Sequence, residues 1–184
     1  MDTDKSFLFL MLGFPGSGKS YVSGWLAPHM SAVHLRADDM RVRMFGEERL
    51  EYHTNWKYQK QVHGAMQYAA AQVLSAEHSV IYDSNHNSVK SRRPMQSIAK
   101  EAGAIPILIW VKAPLGLAKQ RVLDREAAAG PNMFELDFVD RMASNLQQPG
   151  PNELAIELDG TQTAEDQRKR FDEQFATLIR NKVQ

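Results

Sequence analysis

The sequence predicts an α/β fold in which a parallel sheet of five strands is covered by helices on both faces. Two observations carry this reading. Short apolar runs alternate with stretches of helical period along nearly all of the 184 residues. The first run, Phe7–Leu12, leads directly into Gly13-Phe14-Pro15-Gly16-Ser17-Gly18-Lys19-Ser20, a strand–loop–helix junction of the form G-x-x-x-x-G-K-[ST].

Taken in order, the junction opens a helix expected from about Lys19 to Ala27. It should stop before Pro28, because the proline ring disfavours helical backbone in the residue ahead of it. Ala32–Leu35 reads as the second strand and delivers Arg36-Ala37-Asp38-Asp39-Met40-Arg41, after which Met40, Met44 and Phe45 recur at helical spacing. Glu47-Glu48-Arg49 is a polar break. A long helix is expected from Tyr52 to Ala76, with Trp56 and the methionines turned to the core and His63 solvated or held by a neighbour. Ser79–Asp83 is a third strand ending in an acid. Ser84-Asn85-His86-Asn87 is a turn, and Ser88 caps a helix through about Ala102, with Pro94 marking its first turn or a kink. Gly103 closes that helix. The fourth strand, Ile105–Val111, is apolar on both faces, as a buried parallel strand should be. Pro114 opens a helix to about Ala129, before Gly130-Pro131. A short helix over Phe134–Leu146, a fifth strand over Leu154–Leu158 and a last helix over Thr163–Arg180 complete the chain.

Composition narrows the function. Lys+Arg and Asp+Glu are both 22, so the net charge is zero, which argues against a large electrostatic footprint on duplex nucleic acid and leaves room for a strand end in a local basic pocket. The absence of cysteine excludes disulfides and thiolate chemistry, and the six histidines show no H-E-x-x-H spacing. The N-terminal apolar run is too short for a membrane span and lacks a small-residue cleavage site, so a cytoplasmic location is expected, with no membrane association and no obligate protein partner in view. No linker divides the chain, and one domain over 1–184 is expected.

The glycine-rich loop carries the first chemistry. Gly13, Gly16 and Gly18 let successive N–H groups converge on one anion, and the following helix points its positive end at the same place. Gly13, Pro15, Gly16, Ser17, Gly18, Lys19 and Ser20 are therefore the candidate nucleotide-binding residues, with Lys19 on the β- and γ-phosphates and the Ser20 hydroxyl available to Mg²⁺. In an open parallel sheet ligands bind beyond the carboxyl ends of the strands, so the remaining chemistry should lie at the other strand tips. Asp38 is the expected general base for an acceptor hydroxyl, with Asp39 as helix cap or support. Arg41, one turn on, either binds an anion on the acceptor or faces solvent. Asp83 either orients Mg²⁺ water or the acceptor, or is a plain turn aspartate, and Asn85 can share either functional role. Arg121 and Arg125, four apart on one helix face, can stabilise a transferring phosphoryl group; otherwise they form a salt-bridged surface with Asp124 and Glu126. A helical lid over about 114–131, hinged at Gly130-Pro131, follows from the first option.

The ordered set of phosphate loop, Asp38-Asp39-Met40-Arg41, Asp83-Ser84-Asn85 and Arg121-x-x-x-Arg125 resembles the kinase domain of polynucleotide 5′-hydroxyl kinases and their small P-loop kinase relatives. The similarity runs from about Phe7 to Leu158. Where that family's second-strand motif reads Arg-Asp-Asp, this chain has Ala37 before Asp38. The resemblance implies a P-loop NTPase fold with strand order 2-3-1-4-5, ATP and Mg²⁺ held by Lys19 and Ser20, Asp38 as base, Arg41 on an acceptor phosphate, Asp83 on the acceptor side, and Arg121 and Arg125 as the lid. The expected activity is ATP-dependent transfer of the γ-phosphoryl group to an acceptor hydroxyl, on a nucleic-acid 5′ end or a small molecule. An ATPase or nucleotide-dependent switch, with water as the only acceptor, is the alternative.

Overall fold

Strand β1, Phe7–Leu12, is buried at all six positions and divides the core in two. Phe7, Phe9 and Met11 face one side, and Leu8, Leu10 and Leu12 the other, as the two-residue period of a strand requires. The computed structural model of the chain describes residues 5–46, 55–129 and 136–183. Within them β1 lies at the centre of a five-stranded, all-parallel sheet with β2 (Val33–Arg36), β3 (Val80–Asp83), β4 (Ile105–Lys112) and β5 (Ala155–Asp159), in the order β2-β3-β1-β4-β5. The predicted strand order is the one observed. Its consequence is that β1 and β3 stand side by side, in the register Leu8 to Val80 and Leu10 to Tyr82, so the tips of these two strands open at the same edge.

Helices α1 (Lys19–His29) and α7 (Ala164–Val183) cover one face. Their core is aromatic: Phe171 stacks on Phe175 at 5.3 Å, and both meet Phe9 at 6.0–6.2 Å between ring centres. Helices α3 (Trp56–Ser75) and α4 (Val89–Glu101) cover the other face with Val62, Met66, Ala70, Leu74, Met95 and Ala99. The short α2 (Ala37–Phe45) follows β2 without a break and packs on α3. Helices α5 (Leu115–Ala129) and α6 (Leu136–Ser144) follow β4.

Two local expectations are corrected, and that for Pro94 is narrowed. Helix α1 runs through Pro28 to His29. The proline sits in the last turn, where it forfeits one bond and where the carbonyl four residues back belongs to Gly24, and the Met30 N–H still closes on Leu26 O at 2.9 Å. Pro94 lies inside α4, beyond its first turn. Trp56 is 72% exposed rather than core, because it is the first residue of α3, ahead of the buried stripe that begins at Val62. Lys60 lies over its ring at 5.7 Å. Asn55 caps that helix, and Ser88 and Ser91 form a reciprocal cap on α4. The expectations at 47–49, Tyr52, Gly130-Pro131 and Phe134 fall outside the described residues.

Two polar devices close the fold. At the sheet edge, the Gln174 side chain on α7 bonds both outward groups of Glu157 in β5: its amide donates to the Glu157 carbonyl (2.8 Å) and its oxygen accepts the Glu157 N–H (3.1 Å). Deeper in, Arg92 of α4 is fully buried and pairs with both oxygens of Glu153 at 2.9 Å. It also donates to the carbonyls of His86, Gln147 and Gln148. Removing one member of such a pair leaves the other charged and unpaired. Arg92→Met is therefore expected to destabilise the protein by about 3–5 kcal/mol, read as a lowered urea midpoint.

Candidate active site

The phosphate loop is built by backbone conformation. Gly13, Gly16 and Gly18 have φ of 147°, 80° and 106°, values that favour glycine. Ser17 N–H closes the turn on Phe14 O at 3.1 Å. Gly18 is the N-cap of α1, which has no side-chain cap and no acid in its first turn, so its leading N–H groups stay available to an anion. The loop is held from outside by contacts that side chains would block. A Cβ on Gly16 would run into the Ala118 carbonyl of α5, and one on Gly160, just past β5, into the Ser17 carbonyl. Ser17 Oγ is buried inside this cradle with no hydrogen-bond partner among the described residues. Free N–H groups, positive-φ glycines and a waiting hydroxyl fit a phosphate.

Lys19 rests on the loop itself, donating to Gly13 O at 2.7 Å and Phe14 O at 3.2 Å. Burial pulls its pKa down from the usual 10.5 to about 8; the charges of Asp83 and Asp38 oppose that, and the charge of Arg125 adds to it. Four residues singled out in the sequence therefore share one electrostatic neighbourhood. Ser20 follows on α1 and is exposed.

The other tips are more structured than the sequence suggested. Asp83 is buried at the end of β3, with His34 Nε2 3.2 Å from one carboxylate oxygen and Arg36 Nε 4.0 Å from the same atom. Arg41 is not a solvent-facing arginine: it is buried and ion-pairs with Asp38 one turn away on α2, while Asp38 itself is half exposed. Asp39 does not cap α2. Arg36 occupies the cap position without a side-chain bond, and Asp39 sits in the first turn, 3.5 Å from Arg36. Asn85 reaches α6, where its amide lies 3.6 Å from Met142 Sδ, while its oxygen accepts the Asn87 N–H at 3.1 Å. Arg121 donates to Gly160 O (3.0 Å) and Gly16 O (3.4 Å), bracing the loop rather than pairing with Asp124, which is bonded by Gln120. Arg125 is exposed and acts on Lys19 through its charge.

Sequence reasoning passed over His34, His86, Asn87 and Arg92. His86 is buried 5.1 Å from the Tyr82 ring, and burial holds its pKa at about 3, so it stays neutral. Asn87 bonds the Gly13 N–H at 3.0 Å. The one available signal was the dense polar run 83–88 after an apolar strand. Among the described residues no cluster of three or more His, Cys, Asp or Glu is placed to hold a metal, and no helix is long and apolar enough to cross a membrane.

A family model described as an AAA domain, AAA_33, matches residues 8–149, from the first strand to the end of the segment after α6. This chain belongs to the AAA_33 family. L-seryl-tRNA(Sec) kinase of Methanococcus maripaludis is 28% identical over 146 residues, covering 78% of this chain and 53% of that protein. The chain thus spans about half the length of that curated relative. Two solved structures share the fold. A gluconokinase from Sinorhizobium meliloti superposes with a TM-score of 0.68 at 14% identity, over 97% of this chain and 95% of that one. A chain of the Pnkp1/Rnl/Hen1 RNA repair complex gives 0.66 at 20% identity, over 79% and 45%. The AAA_33 chain is thus a P-loop protein in fold as well as in sequence.

The Lys19 environment has a measurable consequence. An anion on the loop favours the charged amine, so nucleotide affinity should be fullest below pH about 8 and fall as the free amine loses its proton above it. The slope is at most about tenfold per pH unit. Titration calorimetry with ADP between pH 6.5 and 9.5 is expected to show this fall, and Lys19→Met to flatten it.

Proposed function

We propose that this chain is an ATP-dependent, Mg²⁺-requiring phosphotransferase that moves the γ-phosphoryl group to an acceptor hydroxyl, laid out like the kinase domain of polynucleotide 5′-hydroxyl kinases. The observation that carries the reading is the convergence on Lys19 of the phosphate loop with the charges of Asp38, Asp83 and Arg125. A bare phosphate cradle needs no carboxylates; a site that deprotonates a hydroxyl beside a phosphoryl group does.

In this reading Lys19 and the loop N–H groups bind the phosphates and offset the charge that develops on them. Ser20 and Asp83 would hold Mg²⁺, which would supply charge neutralisation at the phosphates. Asp38 takes the acceptor proton, with Arg41 fixing the orientation of its carboxylate. Helix α5 serves as part of a lid over about 114–131, in which Arg121 fastens the lid to the loop and the charge of Arg125, already felt at Lys19, stabilises the phosphoryl group as its charge builds. The whole of 1–184 acts as one domain. A 5′-hydroxyl on a nucleic acid is the first acceptor to try; the relative's name, a kinase of L-seryl-tRNA, supports an acceptor hydroxyl carried by nucleic acid and does not name its 5′ end.

One observation favours a second acceptor class. Arg41 is already occupied by Asp38 and buried, so an anion on the acceptor must compete for it. A small neutral alcohol, such as a sugar, nucleoside or antibiotic, would leave that pair intact. The test is transfer from γ-labelled ATP to 5′-hydroxyl oligonucleotides, nucleosides, sugars and aminoglycoside-like alcohols. Asp38→Asn is expected to lower transfer by about 10²- to 10⁴-fold with ADP affinity kept. Arg41→Ala should raise KM for a phosphate-bearing acceptor more than for a neutral one. Steady ATP hydrolysis that no alcohol stimulates and that survives Asp38→Asn would sink the phosphotransferase reading.

A further inference from the structure

The residue gripping the first glycine of the loop comes from another strand tip. Asn87 is buried, and its Oδ1 accepts the Gly13 N–H at 3.0 Å. The donor on the far side fixes which way the amide lies, since only its oxygen can receive an N–H. On the same residue, the Gly13 carbonyl receives Lys19 Nζ at 2.7 Å. Gly13 is thus held at both its polar atoms, one by Asn87 and one by Lys19. Its φ of 147° and the crowding of any Cβ against Ser17 Oγ and Val111 O leave that residue a single tolerated arrangement.

Asn87 is itself anchored at two further points. Its N–H donates to Asn85 Oδ1 (3.1 Å), and its carbonyl accepts the Gln147 N–H (2.7 Å). The Gln147 side chain takes the Val89 N–H at 2.7 Å, and the Gln147 carbonyl is held by the buried Arg92 at 2.8 Å. The turn 84–88 and the segment after α6 are in this way riveted together behind the loop. Asn87 Nδ2 is also buried and has no partner among the described residues.

We propose that Asn87 is a positioning residue for phosphoryl transfer: by fixing the backbone of Gly13 it sets where Lys19 stands. The proposal rests on the reading of the loop as the nucleotide site. Without the Asn87 oxygen the Gly13 N–H is buried and unbonded, the Leu12–Gly13 peptide is no longer fixed, and the φ and ψ of Gly13 that aim the next peptide's carbonyl at Lys19 are no longer held. Nucleotide held mainly by the other loop N–H groups should feel little of this, whereas contacts at the γ-phosphate, where Lys19 reaches furthest, should suffer most.

The test compares ADP with a non-hydrolysable ATP analogue on the full chain, by titration calorimetry, for the wild type, Asn87→Ala and Asn87→Asp. Thermal melts confirm that the variants fold. Asn87→Ala is expected to lower the preference for the analogue over ADP by about tenfold or more, a size usual for displaced catalytic groups. Asn87→Asp keeps an acceptor oxygen and should recover most of that preference. If Asn87→Ala does not fold, Asn87→Ser, whose hydroxyl falls short of Gly13, carries the same expectation. An unchanged preference in Asn87→Ala, equal loss in the alanine and aspartate variants, or a parallel weakening of both nucleotides would overturn the proposal. These measurements need no acceptor. A wild type that binds nucleotide and phosphorylates no hydroxyl would therefore defeat the proposed function while still leaving the role of Asn87 decided by the ratio.

Discussion

Everything at this site depends on backbone approaching backbone more closely than side chains permit. The loop 13–20 touches α5 through Gly16 and the β5 tip through Gly160, both at contacts where a single methyl group would collide with a carbonyl. Because these approaches are main chain to main chain, the geometry of the cradle is set by the sheet and not by flexible side chains. The central position of β1, buried along its whole length, makes that possible: the strand that feeds the loop cannot shift without disturbing both halves of the core.

A second constraint is electrostatic. A lysine in an enclosed loop loses hydration, and its ammonium becomes less favourable. The two carboxylates at the tips of β2 and β3 offset part of that loss, which ties the sheet order to the chemistry: with β3 beside β1 and β2 beside β3, Asp83 and Asp38 are delivered to the same edge as Lys19. Arg41 and His34 in turn hold those carboxylates, so each acid at the site comes with its own support.

Most of this architecture was legible in the sequence because it is written in local period. Strand runs, helix caps at Ser88 and the G-x-x-x-x-G-K-S loop depend on residues next to one another in the chain. What was not legible depends on distance. Trp56 looked like core because it is large and apolar, yet its place at the very start of α3 puts it ahead of the buried stripe. Pro28 looked like a stop, but at the end of a helix its missing donor costs little. Arg92 and Asn87 gave no signal at all. A buried arginine among the carbonyls of residues 86, 147 and 148, and an asparagine answering a glycine 74 positions away, are readable only once the chain is folded.

The side chain of Gln174 has a consequence beyond its two bonds. By matching the outward donor and acceptor of Glu157 it behaves as a single residue of a sixth strand, and Gln167 adds a bond to the Asp159 carbonyl further along. Three backbone groups of β5 are thereby bonded, and a passing extended peptide finds fewer open groups to pair with. That protection is delivered by α7, so during folding it comes only when this helix docks. Until then the edge is a bare template, and the docking of one helix decides when the molecule becomes safe in a crowded solution.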